Sequence, residues 1–558
     1  MNLDNTNNLI ELFSYQAQKQ NKKSIFLQWL NPKNKKTYTW EETQKNILKL
    51  SKIIKKNIKE GDRCLLVSEN RPEWFISDMA IMLSGGITVP AYTTYTEEDY
   101  KYLIEDCEPS LVIVSNNEML KKLSITINEK KFIKKVITLD EVNKVIYNLD
   151  IINRDNYLDF NIILNNDLLE EDKIKNDKLK RTSPACIIYT SGTGGNPKGV
   201  ILSHGGILNN LVGACEIMKP LFSSKPIFLT WLPLSHSYEH CVQFAQIAVG
   251  AKVFYAEKIE KLLENISEAK PTIMTAVPRF YQNLYNKINI NLKKQTGFKA
   301  KLIEATLRLG KKKLLNQKMT FSEKLLNFMV EILVRKKIKK QFGGKLKAFV
   351  SGGGALDKEI GEFLNSVGLP TLQGYGLTET SPVVSCNPIH KIKVETVGPP
   401  FRGNQVKIAD DGEILVKGEN VMLGYWNKKK ETDEVIIDGW LHTGDIGEID
   451  PEDGYLKITD RKKDIIVSAG GDNISPAKIE NIITNEPEID QCMVYGDKKN
   501  YLVALIVPSK DFLKEKEQIN NVIEKINKKL TLLEKIKRIQ LIDENFSIEN
   551  GLMTPTMK

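Results

Sequence analysis

The sequence predicts an α/β fold in which a large N-terminal domain holds two doubly wound sheets plus a small β-barrel-like subdomain, and a small mobile α+β domain follows. Three observations carry this. Short apolar runs alternate with helical patterns over the first 150 residues, and a second such series begins at "ACIIYT" (185–190); strand and helix in turn imply a mostly parallel sheet covered on both faces. After about residue 395 the texture changes to short strands and tight turns. At 558 residues the chain exceeds what one hydrophobic core accommodates, so two or more domains are expected.

Taken in order, "RCLLVSEN", "ITVPAY", "SLVIVS" and "KKVITLD" read as strands, with "PEWFISDMAIMLSGG", "EEDYKYLIEDC" and "NEMLKKLSI" as the helices between them. The polar stretch "NNDLLEEDKIKNDKLKRTSP" reads as a surface connection. Beyond it, "ACIIYT", "PIFLTWLPL", "AKVFYA", "PTIMTAV" and "KLKAFVS" predict the strands of a second sheet. In the β-rich part Asp-Gly occurs at 411–412, 438–439 and 453–454, a dipeptide that favours hairpin turns. Following "DRKKD", the α+β unit is expected to contain the helix "PAKIENIITN", the strands "QCMVYGD" and "YLVALIVP", and a basic helix "NVIEKINKKLTLLEKIK". The expected organisation is residues 1–459 as the N-terminal domain with a basic helical insertion at about 284–344, a hinge at 460–463, and a mobile domain at 464–558.

Hydrophobic content of 41% and charged content of 27% exclude a disordered or fibrous class. Seven scattered cysteines with no C-x-x-C pair suggest neither a disulfide framework nor a zinc site, and a reducing cytoplasm is the expected home. The N-terminus lacks a signal-peptide layout, and the charge-free run Met79–Thr96 is broken by glycines and a proline, so no bilayer span is expected. Between Tyr281 and Lys347 there are 18 Lys and Arg against 3 Glu, a local +15 that exceeds the +10 of the whole chain. One basic stretch interleaved with Leu, Ile, Phe and Met predicts amphipathic helices meeting an anionic membrane surface from the cytoplasmic side, rather than a nucleic-acid partner; a solvated basic face is the alternative.

"YTSGTGGNPKGV" (189–200) follows an apolar strand and precedes a helical pattern. Its glycines let successive N–H groups converge on phosphate oxygens, with Thr190, Ser191 and Thr193 as hydroxyl donors and Lys198 as a charge. Lys198 sits between Pro197 and Gly199, so the Walker spacing is not met. In "QGYGLTETS" (373–381), Tyr375 suits a purine, Thr378 a phosphate, and Glu379 a Mg²⁺ ion. "LHTGDIG" places Asp445 in a glycine turn suited to ribose hydroxyls, with Arg461 of "DRKKD" close behind.

In this order, with "RPEWFISDMAIMLSGGITVPAYTTYTEEDYKYLI", "LPLSHSYEH", "SGGGALD", "GEILVKGENVMLGYW", "DRKKDIIVSAGGDNISP" and "TPTMK", the set resembles the AMP-forming acyl-CoA synthetases of the adenylate-forming superfamily over nearly the whole chain. The resemblance implies that Thr190, Ser191, Gly192, Thr193 and Lys198 clamp the ATP phosphates. It places adenine against Gly353, Gly354, Ala355, Gly374, Tyr375 and Gly376, and the ribose at Asp445 and Arg461. Glu379 would hold Mg²⁺, with Thr378 beside it. Lys558 would bridge the substrate carboxylate and the α-phosphate. Lys463 occupies the hinge position, Ser468, Ala469, Gly470 and Gly471 would line the CoA channel, and His236 and Tyr238 belong to the acyl site. The family continues past its lysine, whereas Lys558 carries the last carboxylate of this sequence; either the protein tolerates that pairing or a short extension anchors the loop.

The insertion at 284–344 resembles that of long-chain fatty acid members. The implied activity is ATP-dependent activation of a long-chain fatty acid to acyl-AMP, followed by transfer to CoA. Transfer to a carrier protein is the alternative, and a lipid-binding scaffold that retains the fold is a third reading. The intact set Lys198, Glu379, Asp445, Arg461 and Lys558 opposes the third.

Overall fold

The computed structural model describes residues 2–32, 35–142, 156–165, 173–190, 196–222, 225–462, 464–468, 473–499, 501–513, 515–547, 550 and 552–553. Two eight-stranded sheets dominate. Across the first, the strands run Gly424–Tyr425, Lys198–Ser203, Pro184–Thr190, Ile87–Ala91, Arg63–Val67, Leu111–Val114, Lys135–Thr138 and Tyr157–Asp159. The second runs Ser385–Cys386, Thr371–Tyr375, Ala348–Ser351, Ile273–Ala276, Ile227–Thr230, Lys252–Tyr255, Ile25–Trp29 and Thr37–Thr39.

Alternation along these strands explains why the sheets stack. Cys64 and Leu66 face a core shared by both sheets, while Leu65 and Val67 face an outer cluster. In the second sheet Phe228, Ile273 and Ala348 join the shared core, whereas Leu229, Met274 and Phe349 face the other way. Each parallel strand is apolar on both faces because helices cover both. Between the sheets lie Pro72–Leu83, His204–Met218 and Ser237–Ala248. Every residue of Pro72–Leu83 is buried, the property of a helix enclosed on all sides.

The expected division of strands by chain order is corrected here. "PACIIYT" extends the first sheet, pairing Cys186 with Thr88, while the N-terminal strand Ile25–Trp29 crosses to the second and pairs parallel with Lys252–Tyr255. A second correction concerns the glycine-rich stretch. It joins two antiparallel strands, with Thr190 opposite Lys198, and the helix begins only after Ser203, whose hydroxyl accepts from the Gly206 N–H at 2.9 Å.

A five-stranded antiparallel sheet follows, built from Gln405–Ile408, Glu413–Lys417, Ile436–Ile437, Trp440–Ile449 and Leu456–Arg461. All three Asp-Gly pairs fall between its strands. At Asp438-Gly439 both residues have positive φ, 53° and 76°, the I′ geometry that the dipeptide favours.

The last part packs Pro476–Thr484 and Lys516–Asn527 against strands Ile489–Tyr495, Leu502–Pro508 and Ile536–Leu541, around Ile479, Ile483, Ile506, Ile519 and Ile523. The basic helix expected to run on through "LTLLEKIK" stops at Asn527 instead. The Asn527 side chain donates to the Ile536 carbonyl and accepts from its N–H, both at 2.9 Å. This closes a turn that lets the β-branched "IKRIQL" pair as a strand. The basic stretch forms the helices Pro278–Lys293, Gly297–Leu314 and Phe321–Val330, the last continuing through a π-helical turn, Glu331–Arg335, into Lys336–Lys340.

Candidate active site

One cavity of about 2430 Å³ is lined by Thr190, Lys198, His236, Tyr238, Gly353, Gly354, Ala355, Gly374, Tyr375, Gly376, Thr378, Glu379, Asp445 and Arg461. Thus, apart from Ser468, the described candidates from six separated motifs share one space. Ser191, Gly192, Thr193, Lys463, Ala469, Gly470, Gly471 and Lys558 lie outside the described residues. Ser468 follows the short strand Ile466–Val467 and is not among the residues lining this cavity.

Asp445 anchors the polar end. It is buried on strand Trp440–Ile449, directly opposite Arg461 on the neighbouring strand. Its Oδ2 accepts from the Tyr375 hydroxyl at 2.7 Å and its Oδ1 from Arg461 Nε at 2.9 Å. Burial, reinforced by Asp445, pushes the Tyr375 hydroxyl well above its ordinary range, so it stays a donor. Burial alone would lower Arg461, but the Asp445 carboxylate outweighs it and the guanidinium is raised. The expected glycine turn is instead an irregularity inside this strand: Gly444, at φ 72°, lies where the pairing with Glu413–Lys417 shifts register, and its N–H donates to Glu413 Oε1 at 2.8 Å.

Glu379 and Lys198 both meet Tyr425. The Tyr425 hydroxyl donates to Glu379 Oε1 at 2.9 Å, while Lys198 Nζ lies 4.9 Å from the ring centroid. Strand pairing puts Tyr425 there, with Tyr425 opposite Val200 on the strand that Lys198 begins. Tyr425 is a residue that the sequence does not single out for the site, and only the pairing reveals the contact. Thr378 shares a hydrogen bond of 3.0 Å with Ser237, another residue the sequence did not single out. Among the described residues no three His, Cys, Asp or Glu gather as a metal cage. The local donor set is one carboxylate, Glu379, which fits Mg²⁺ when phosphate oxygens and water complete its shell.

His236 caps the helix Ser237–Ala248, its Nδ1 accepting from the Tyr238 N–H at 3.2 Å. Tyr238 reaches back to the nucleotide side: its hydroxyl donates to the Val350 carbonyl at 3.0 Å, and its ring lies so close over Gly352 that a Cβ there would meet it at 2.9 Å. It therefore braces the "SGGGALD" loop as well as bordering the acyl side. His204 and His240 are core residues. Burial lowers His204 to about 4, and His240 binds the buried Asp78 at 2.9 Å.

Beyond Tyr238 the same cavity becomes apolar, lined by Phe228, Val242, Ala245, Ile273 and Met218. Cys241 and Cys386 also border it, and burial pushes both thiols up to about 12.

This body of two stacked sheets with a small α+β lobe, closed around one cavity that is polar at one end and apolar at the other, is the architecture of the adenylate-forming enzymes. The chain belongs to the AMP-binding enzyme family: residues 13–426 match the model for the AMP-binding enzyme, and residues 463–546 match that for its C-terminal domain. Among curated proteins it is 31% identical to the long-chain-fatty-acid–CoA ligase FadD15 of Mycobacterium tuberculosis, over 91% of this chain and 86% of that one. It is also 31% identical to the long chain acyl-CoA synthetase 3 of Arabidopsis thaliana, over 93% and 84%. Among solved structures, the anthranilate CoA ligase AuaEII with anthranoyl-AMP superposes with a TM-score of 0.77 at 18% identity, covering 100% of this chain and 97% of that one. ATP-bound MatB from Rhodopseudomonas palustris gives 0.71 at 21%, covering 96% and 95%. Both share the fold.

Proposed function

We propose that the protein activates a long-chain fatty acid with ATP, giving acyl-AMP and pyrophosphate, and then transfers the acyl group to CoA with release of AMP. The observation that carries this is the single cavity joining a nucleotide-suited end to an apolar recess; its curated relatives are named for this chemistry. In the first step a carboxylate oxygen attacks the α-phosphorus and pyrophosphate leaves. Two anions must meet, so positive charge is needed where they do. Lys198, on the strand leaving the glycine-rich stretch, holds the phosphates from one side, and Lys558 is assigned to the carboxylate and α-phosphate. Mg²⁺, held by Glu379 and the phosphates, supplies charge neutralisation when bound. Asp445 and Arg461 fix the ribose, and Tyr375 packs at the adenine. In the second step the CoA thiol attacks the acyl carbonyl, the segment 468–471 lines its path, and the domain after the 460–463 hinge rotates to present it.

Each buried methylene contributes about 0.8 kcal/mol, so the recess favours long acids but separates neighbouring lengths weakly. The basic segment 281–347 is assigned a peripheral contact with an anionic membrane, the phase in which such acids reside. Among the described residues no helix is long and apolar enough to cross one.

The test measures AMP formation with palmitate, with and without CoA, beside acetate. CoA-dependent turnover on palmitate is the expected result. A peak on acetate overturns the long-chain assignment, and acyl-AMP that persists with CoA and moves only to a carrier protein overturns the acceptor.

A further inference from the structure

The helical stretch from Phe321 to Lys340 leaves one face uncovered. Phe321 is 87% exposed, Leu325 59% and Phe328 63%, and Met329, Ile332 and Leu333 continue the row. The spacing i, i+4, i+7, i+11 puts them on one side of the helix. The opposite side is anchored. Val330 is buried against Leu302 and Leu309, and buried Arg335 donates to the Ser366 carbonyl at 2.9 Å, the Thr306 carbonyl at 3.2 Å and Asn327 Oδ1 at 2.8 Å. The ridge is therefore held outward by a fixed base. Around it stand Lys318, Lys324, Lys336, Lys337 and Lys340, all exposed and in no ion pair among the described residues. Acid groups nearby are already engaged: Glu323 pairs with Arg308 and Lys312, and Glu331 with Arg335 and Lys339.

We infer that this ridge is the element that inserts into an anionic phospholipid surface, with the aromatic and aliphatic side chains entering the headgroup boundary and the lysine rim resting on phosphates. An apolar row alone would suit several partners. The rim decides among them, because a second copy docking here would bring two like-charged rims together, whereas an anionic bilayer is complementary to both ridge and rim. The inference deepens the membrane reading of the basic segment given above and rests on it.

The experiment is flotation of the full chain with vesicles of phosphatidylcholine alone or mixed with phosphatidylglycerol, without ATP, acid or CoA, so it can fail while acyl activation stands. Strong flotation with the mixed vesicles is expected, falling at least roughly tenfold in Phe321→Ser/Leu325→Ser/Phe328→Ser. Lys324→Gln/Lys336→Gln/Lys337→Gln/Lys340→Gln is expected to abolish the preference for anionic over neutral vesicles. Circular dichroism and CoA-ligase activity on dissolved acid, both unchanged, show that the variants fold. Equal binding by the serine variant overturns the inference. So does a wild-type dimer in light scattering that the serine variant dissolves.

Discussion

Asp445 is held by the Tyr375 hydroxyl at one oxygen and by Arg461 at the other, and borders the shared cavity. Replacing Asp445 with Ala removes a charged acceptor, which is expected to raise the KM for ATP roughly ten- to a hundredfold while the KM for the acid changes little; an unchanged KM for ATP rejects the role. Glu239 makes a different prediction. It is buried at the foot of the acyl helix, accepts from Thr275 at 2.8 Å, and burial raises its carboxyl to about 8. The unfolded chain gives up that proton near its ordinary 4.5, so between about pH 4.5 and 8 the folded state binds more protons and stability falls as pH rises. Glu239→Gln should flatten that slope, read as a Tm difference from wild type that grows from pH 5 to pH 8. Parallel Tm curves would sink it. Neither Glu239 nor Tyr425 stood out in the sequence, because their roles come from burial and strand pairing. Asp445 and Lys198 did, because glycine-flanked polar residues in short motifs carry their chemistry locally.

Helix packing in the insertion turns on one glycine. Gly310 faces the backbone of the helix Lys358–Ser366, and a Cβ there would meet Ser366 Cα at 2.4 Å. Backbone does not yield as a flexible side chain would, so Gly310→Ala is expected to cost about 1–3 kcal/mol, seen as a lower midpoint in urea. An unchanged midpoint would mean that the two helices separate freely. Elements set by local chemistry were legible: the Asp-Gly turns fall where their sequence allows. Elements set by distant partners were not. Nothing within "PACIIYT" says that its neighbour is Ile87–Ala91, and nothing in the apolar run "IFLQW" says that it crosses to the far sheet.

Among the described residues, the two parts of the chain touch through few polar contacts. Arg279 pairs with Asp490 at 3.4 Å, and Gln282 donates to the Thr484 carbonyl. Such a light seam suits a lobe that has to turn between two half-reactions. The described chain also reaches the shared cavity at Met553, five positions before Lys558. Lys558→Ala should therefore slow acyl-AMP formation far more than thioester formation from supplied acyl-AMP, and equal losses in both steps would refute its assignment. The seam was not legible in advance, since it joins side chains about 200 residues apart. An acyl adenylate will acylate a thiolate within reach, and Cys241 and Cys386 border the cavity proposed to hold it. Burial pushes both thiols up to about 12, so they stay protonated near neutral pH. The enclosing hydrocarbon thus keeps the protein's own sulfur inert, and the incoming thiol meets an intermediate that has not been squandered on the walls.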